Sequence, residues 1–557
     1  MSNRDTAVTG WDRVFLVHGY LLRGTGSNIY VQNLARALCR LGQSVTLFSQ
    51  DPEPEKLDFV SEVVVYHDGD PQIRLSRATP YPAPCRAVRP DIGDLLPVYV
   101  WDRYPGFRVL EFSEVGDADL EAYIEGNRRA LAAEMAYAPP AAIFSNHAVM
   151  QPAYVARGRR GRGRHVALLH GSALNFTVRG DHRMGRYARE GLEDADALAA
   201  PSVHAAADLA RVLPELADRR VHSVPPGVDL ERFLPGRASP DGNGLLPPAM
   251  LARLESAICA RPGGRDEETR RALRRACGEL DEPEALQSFL QRTAKTYDAW
   301  SPDPGGARRL AQLEAEDELI LYFGKYLPTK GLRVLLAALP LILRHRPRAR
   351  VVAVGFGEDR EFLEAGAELL DAGRRDLFER FFLEADESGT LRGLIAYLAD
   401  PTRAAAYYDA ARGKLRERFI TTGIMEQDDL GSLVGYADLT VAPSIFPEAF
   451  GLVGAEALAA GVLPILTAGS GFEEVARTYV DAFEDLLGGT DLSPLPVDGD
   501  LVIELADRSV ALLEALDALS RGEREQLRCR ARSLAEKSFS WERAARDLLG
   551  LAGIVPG

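Results

Sequence analysis

Four apolar residues at 14–17 precede a glycine-rich turn. After it Val31, Leu34, Ala35, Leu38 and Leu41 recur at the spacing of one helical face over 28–41. Gly42 closes that helix and 44–48 reads as the next strand, so the chain opens as strand–loop–helix–strand, the unit of a parallel sheet. The alternation continues with strands at 141–144, 166–169, 199–201 and 221–224, and helices at 151–157, 191–197 and 203–213. A doubly wound domain is therefore expected over residues 1–225. A second series begins late: strands at 319–323, 350–355, 419–422, 439–442 and 463–466, with helices at 332–345, 429–437 and 452–460. It predicts a second doubly wound domain over 316–539.

Two stretches interrupt this rhythm. Residues 236–315 carry Pro/Gly clusters at 235–248 and 302–306 around a charged helical stretch, and read as a helical insertion without a strand. A second helical stretch fills 358–417. The expected fold class is α/β, with two Rossmann-like domains facing a cleft and helical insertions. In open parallel sheets ligands bind beyond the carboxyl ends of the strands, so chemistry is sought there. The insertion 236–315 is expected to cap the cleft or an interface and to be replaceable by a short linker.

Composition narrows the possibilities. The chain has 557 residues and a net charge of −15, which argues against a general nucleic-acid binder. Five cysteines stand singly with no C-x-x-C, so neither a disulfide framework nor a zinc site is expected, and a reducing compartment fits. The apolar run at 14–17 is too short for a signal-peptide core, and the longest apolar run, at 334–343, falls short of a membrane span. A soluble, cytoplasmic protein is expected. Of 66 basic residues only six are lysines, so a lysine at a strand end stands out.

Two of those six, Lys325 and Lys330, lie five apart in Gly324-Lys325-Tyr326-Leu327-Pro328-Thr329-Lys330-Gly331, directly after the first strand of the second domain. Two ammonium groups there suit a diphosphate. The segment running from Pro443-Ser444 through Glu448-Ala449-Phe450-Gly451-Leu452 to Glu456 places one carboxylate before a helix start and another inside the helix. Carboxylates accept hydrogen bonds from sugar hydroxyls, and the bare N–H groups of a helix start suit phosphate. Glu456 is an unusual charge in an Ala/Leu/Val helix. In the first domain Leu168-Leu169-His170-Gly171-Ser172 and Asn146-His147 set histidines just after strands, and Gly24-Thr25-Gly26 opens the first helix. No glycine completes a dinucleotide fingerprint after any of the glycine-rich turns, which disfavours a nicotinamide enzyme. The triplets Asp117-Ala118-Asp119 and Asp194-Ala195-Asp196 fall in helical patterns and read as helix surface; no metal site is expected. Five arginines between Arg157 and Arg164 form a basic loop, read as a solvated connector or as a contact with anionic lipid or a phosphorylated acceptor.

Together these residues resemble the retaining family 4 glycosyltransferases with the GT-B fold. The resemblance covers both domains, the junction Val224-Pro225-Pro226-Gly227-Val228-Asp229 and the ending Phe539-Ser540-Trp541-Glu542-Arg543, which is similar to the family's terminal helix that returns to the first domain (about 540–557 here). It implies that Glu448 binds donor-sugar hydroxyls and Glu456 the nucleotide ribose. Phe450, Gly451 and Leu452 would lend backbone N–H groups, and Lys325 and Lys330 would hold the diphosphate. His170 would contact the transferred sugar, Gly26 would approach phosphate or acceptor, and the base would lie near Gly423, Ile424 and Met425. The implied activity is transfer of a sugar from a nucleoside-diphosphate sugar to an acceptor of unspecified class, with no metal or other cofactor. Lys325 stands where the family more often has Arg. A sugar-nucleotide epimerase on the same fold, or a catalytically silent sugar-nucleotide binder, are the alternatives.

Overall fold

The structure, a computed structural model, describes residues 13–24, 26–99, 104, 106–171, 173–236 and 245–555; Thr25, Ser172 and 237–244 lie outside them. The chain divides into two compact units, Met1–Gly227 together with Phe539–Gly557, and Val228–Ser538.

The first unit is built on β1 (Arg13–Val17), β2 (Ser44–Phe48), β3 (Val60–His67), β4 (Asp70–Ser76), β5 (Cys85–Arg89), β6 (Leu95–Val98), β7 (Arg108–Glu111), β8 (Ala142–Asn146), β9 (Arg164–Leu168), β10 (Ala197–Ala200) and β11 (Val221–Ser223). Nine of these form one sheet in the order β11-β10-β9-β8-β1-β2-β5-β3-β4, and β6 and β7 pair separately. Along β1 successive side chains go to opposite faces, as the pleat requires. Phe15 and Val17 join one hydrophobic core with the helices Asp117–Tyr137, Gln151–Arg159 and His182–Asp194. Val14 and Leu16 join another with Gly26–Arg40 and the terminal helix Trp541–Leu551. A sheet covered on both faces explains why β1 reads as an unbroken apolar run rather than an alternation. The terminal helix comes so near the chain at Gly227 that a Cβ there would meet Trp541 at about 2.4 Å, so the junction glycine is a steric requirement.

Residues 49–140 hold the main differences from the sequence reading. β3 to β7 were not anticipated. β3 and β4 form an antiparallel hairpin; the outer strand is almost wholly exposed, and only Ile73 and Leu75 mark its alternation with Gln72, Arg74 and Ser76. A signal was present: Asp68-Gly69, both at positive φ, follows the valine run 63–65 and precedes the alternating Ile73 and Leu75, and is a strong hairpin turn. The helix expected at 191–197 instead runs His182–Asp194, because Asp181 caps it by accepting from the amides of Arg183 and Met184. Ala197 already belongs to β10.

The second unit carries β12 (Glu318–Lys325), β13 (Ala349–Phe356), β14 (Phe419–Thr421), β15 (Leu439–Ala442) and β16 (Leu463–Leu466), all parallel, in the order β14-β13-β12-β15-β16. This is the doubly wound order, with its switch point between β12 and β15. Helix Leu332–His345 is buried along most of its length, which accounts for the long apolar run at 334–343. Among the described residues no helix is long and apolar enough to cross a membrane.

The segment expected as a separate insertion belongs to this second unit. It holds the helices Pro248–Ala260, Glu267–Glu279, Pro283–Thr293 and Gly306–Leu310, and a buried ionic cluster that includes Arg270 and Arg309 of the second and fourth ties it to the rest of the unit. Arg265, fully buried, lies 2.9 Å from Glu364 and 3.1 Å from Glu361. Asp303, also fully buried, accepts from Arg270 at 2.6 Å, Arg309 at 3.2 Å and Arg360 at 2.5 Å. Thr421 at the end of β14 donates to Glu364 at 2.8 Å. The expectation of a detachable cap therefore gives way to that of a structural part of the unit.

Candidate functional site

Loops leaving β12 and β15 meet at the switch point of the second unit. The loop after β12 ends in a short turn, Pro328–Lys330, and Thr329 offers its carbonyl to the amides of Ile445 and Phe446 at 3.0 and 3.2 Å. That pairing brings Lys330 to Glu448: the ammonium donates to Glu448 Oε1 at 2.5 Å, and the buried Ser444 hydroxyl donates to the same oxygen at 2.5 Å. The Glu448 carbonyl accepts from Gly471 N at 2.8 Å, which fixes its backbone as well. Gly451 then opens the helix Leu452–Ala459 with φ of +108°. A Cβ at Gly451 would fall 2.1 Å from the Phe472 ring, so only glycine fits. Beside a buried Phe450, the first amides of that helix are left without intrahelical partners. One carboxylate, one ammonium and a helix N-terminus thus converge, a set suited to sugar hydroxyls and an anionic leaving group.

Glu456 lies in the second turn of the same helix, half-buried, and among the described residues its carboxylate has no hydrogen bond or ion pair. Burial first, and the carboxylate of Asp229 second, push its carboxyl up to about 7. An unpaired acid in an apolar helix is a cost that the fold alone does not explain. Its sign is testable. Between pH 4.5 and 7 the folded chain keeps a proton that the unfolded chain has lost, so stability falls as pH rises through that window and is flat above it. Glu456→Gln is expected to remove this part of the slope and to raise stability at pH 8 by about 1–3 kcal/mol, read as a higher Tm. Equal Tm-versus-pH curves for the two proteins would show that Glu456 titrates normally.

Ile424 and Met425 follow β14 and are half-buried beside its end. The Gly423 carbonyl accepts from Gly355 N at 3.0 Å, which links the carboxyl end of β13 to the loop after β14. Lys325, the last residue of β12, is exposed, and among the described residues no carboxylate pairs with it. Its ammonium stands 5.9 Å from the Phe356 ring and 6.0 Å from Trp300. The sequence placed Lys325 and Lys330 in one role; the structure places them in different surroundings, one against a carboxylate and one against aromatic rings.

In the first unit, three adjacent strands, β9, β8 and β1, each release a histidine at the carboxyl end: His170, His147 and His18. His170 Nε2 lies 3.0 Å from Asn146 Oδ1, and its ring meets Tyr30 edge-on and packs against His147. Burial first, and then His18, lower its pKa to about 3, so it is a neutral hydrogen-bonding group near pH 7. His18, which the sequence reading passed over, bonds Asn28 at 2.9 Å. Its cue was the His-Gly pair it shares with His170-Gly171. His147 is buried at φ of +69° with neither ring nitrogen bonded. Gly26 begins the first helix with open space where a Cβ would stand.

Other sequence candidates take structural roles. Arg157, part-exposed, pairs with Glu190 and Glu121, and buried Arg159 pairs with Asp194 and Asp196, so the fully exposed arginines of the basic segment are Arg160, Arg162 and Arg164. Asp194 and Asp196 are therefore not bare helix surface: they hold Arg159 and also bond His165. Asp117 pairs with Arg183. Among the described residues no group of three or more His, Cys, Asp or Glu is arranged to hold a metal ion.

Known proteins resemble this chain in parts of its sequence and in its fold. The family model described as Glycosyltransferase Family 4 matches residues 113–232, and that described as Glycosyl transferases group 1 matches residues 400–483. An uncharacterised glycosyltransferase of Methanocaldococcus jannaschii is 23% identical over 248 residues, 44% of this chain and 48% of that protein, so the match spans about half the relative's length. Among solved structures, sucrose-phosphate synthase from Thermosynechococcus elongatus superposes with a TM-score of 0.51 at 18% identity, covering 97% of this chain and 98% of that one. The Anabaena protein HepE, solved in complex with UDP, gives 0.51 at 13% identity, covering 97% and 99%. The fold is that of the GT-B class, and the chain is similar to the family 4 glycosyltransferases, as its motifs indicated.

Proposed function

We propose that this family-4-like chain is a glycosyltransferase that moves a sugar from a nucleoside-diphosphate sugar to an acceptor hydroxyl, retaining the anomeric configuration and needing no metal ion. The observation that carries the reading is the Lys330–Glu448–Ser444 constellation beside the N-terminus of helix Leu452–Ala459. In this reading Glu448 accepts from hydroxyls of the donor sugar. Lys330, Lys325 and the helix amides neutralise the diphosphate as the bond from the anomeric carbon to phosphate oxygen breaks. The acceptor oxygen bonds to that carbon on the same face, and its proton passes to the departing diphosphate. Glu448 is committed to Lys330 and Ser444, which suits hydroxyl binding better than attack on the sugar. Half-buried Glu456 takes ribose hydroxyls, and neutral His170 offers a hydrogen bond to a substrate hydroxyl. Five free cysteines fit a cytoplasmic location.

The test is a thermal-shift screen of nucleotide sugars, followed by assay of nucleoside-diphosphate release with excess EDTA present. Uridine donors come first, because the solved neighbour HepE binds UDP. Stabilisation by at least one donor is expected, with release that persists in EDTA. The anomeric proton coupling of the product should match that of the donor. Loss of activity in EDTA, restored by Mg²⁺, would overturn the metal-free reading. An isomerised donor with no released nucleotide would make the protein an epimerase. Donor binding without turnover would make it a sensor.

A further inference from the structure

Besides Arg270 and Arg309, which bond Thr421, the insertion sends a short segment, 300–303, along the carboxyl edge of the second unit's sheet. Pro302 forms an antiparallel bridge with Gly423, and Asp303 N donates to Thr422 O at 3.4 Å. This segment therefore runs as an added edge beside the loop that follows β14. Trp300 is pinned at its start: its amide donates to Asp298 at 3.1 Å, and its carbonyl accepts from Arg261 at 3.0 Å. Arg261 is in turn paired with Glu426, on the same loop as Ile424 and Met425. The Trp300 ring packs on Phe356, the last residue of β13, with centroids 4.3 Å apart, yet keeps 37% of its surface exposed. Lys325, the register partner of Phe356, stands beside both rings. A large aromatic held rigidly and left partly bare at strand ends, next to a cation without a carboxylate partner, is what a flat ligand carrying phosphate would meet.

The proposal rests on the glycosyltransferase reading and extends it: we propose that Trp300, supplied by the insertion, is the aromatic platform on which the nucleobase of the donor stacks, with Lys325 meeting the adjoining phosphate. Position along the sheet favours the base over the sugar. Lys330 and Glu448 occupy the β12–β15 switch point, whereas Trp300 and Phe356 lie on the β13–β14 side. Neighbouring strands are about 4.8 Å apart, so the two ends are separated by a span that an extended nucleoside diphosphate covers. Stacking on an aromatic face tolerates any base, so the platform supplies affinity, and choice among bases falls to polar groups of the Gly423–Met425 loop.

The experiment measures dissociation constants of UDP, GDP, ADP and inorganic pyrophosphate by calorimetry for wild type, Trp300→Leu and Trp300→Phe. The nucleotide that binds wild type best is expected to bind Trp300→Leu about 5–50-fold more weakly, with partial recovery in Trp300→Phe. Pyrophosphate affinity is expected to be equal in all three. That nucleotide should also quench tryptophan fluorescence in wild type more than in Trp300→Phe, a readout independent of affinity that guards against a poorly folded leucine variant. Unchanged nucleotide affinity in Trp300→Leu would overturn the platform and leave the glycosyltransferase reading intact. Equal loss of nucleotide and pyrophosphate would also overturn it, because Trp300 would then act only by placing Lys325. Absence of any nucleotide binding to wild type would instead remove the glycosyltransferase reading itself.

Discussion

Lys330→Ala is expected to lower turnover with a confirmed donor by roughly 10²–10³-fold while the protein remains folded. The size follows from the role proposed for the ammonium, which acts on charge that grows as the diphosphate leaves. Such an interaction strengthens toward the transition state, so kcat falls rather than KM rising alone. Folding should survive because both members of the pair keep some solvent: Lys330 has 35% and Glu448 21% of its side chain exposed. Glu448 also keeps the Ser444 hydroxyl as a donor at 2.5 Å. Lys330→Arg should recover only part of the activity, since a planar guanidinium cannot reproduce a point charge at the same oxygen. The double variant Lys330→Ala/Glu448→Gln should lose less than the product of the single losses, because the two groups share one oxygen contact. Wild-type kinetics in Lys330→Ala would show that the diphosphate is held elsewhere.

Replacing residues 236–315 by a Gly/Ser linker is expected to prevent the second unit from folding. The excision removes Arg265, Arg270, Arg309 and Asp303, so Glu361 loses Arg265, Glu364 loses Arg265 and Arg270, and Arg360 loses Asp303, with only the Arg360–Glu364 pair and the Thr421 bond left of the cluster. Breaking one buried pair costs about 3–5 kcal/mol, and a domain holds only about 5–15 kcal/mol in total. Asp303 shows how strongly the cluster is coupled. Burial alone would push its carboxyl up, yet the guanidinium groups of Arg360, Arg270 and Arg309 outweigh that and hold it below the usual range. Its contribution to stability is therefore complete above pH 3.8 and is lost as pH falls further. Asp303→Asn, which keeps the shape and removes the charge, is expected to destabilise the intact chain by about 3–5 kcal/mol near pH 7. Denaturant unfolding measures that change, and soluble yield with circular dichroism reports on the excision. A linker variant that unfolds cooperatively near the wild-type midpoint would show that the ionic cluster is dispensable.

Much of the architecture was legible in the residue pattern. The five strands of the second sheet and the helices at 28–41 and 332–345 were read to within a few residues. A helix or strand turns each side chain to a definite face, so burial writes its period directly into the sequence. The spacing of Glu448 and Glu456 was legible for a related reason: both lie on one continuous segment around a helix start, where local geometry alone sets their relation. The hairpin β3–β4 was harder to read, because an exposed edge strand buries little and β4 marks its alternation with only two large apolar residues, Ile73 and Leu75. Pairings between distant segments were beyond pattern altogether. Lys330 meets Glu448 across 118 residues only because β12 and β15 lie side by side in the sheet. Trp300 reaches Phe356 because the insertion lays an extra edge along the loop after β14. His18, His147 and His170 gather because β1, β8 and β9 are neighbours in an order that differs from their order in the chain. Strand order and ion-pair choice depend on the energy of the whole packed unit. The sequence by itself therefore determined the elements and the chemistry they carry, and only the tertiary structure decided which of those groups act on one another.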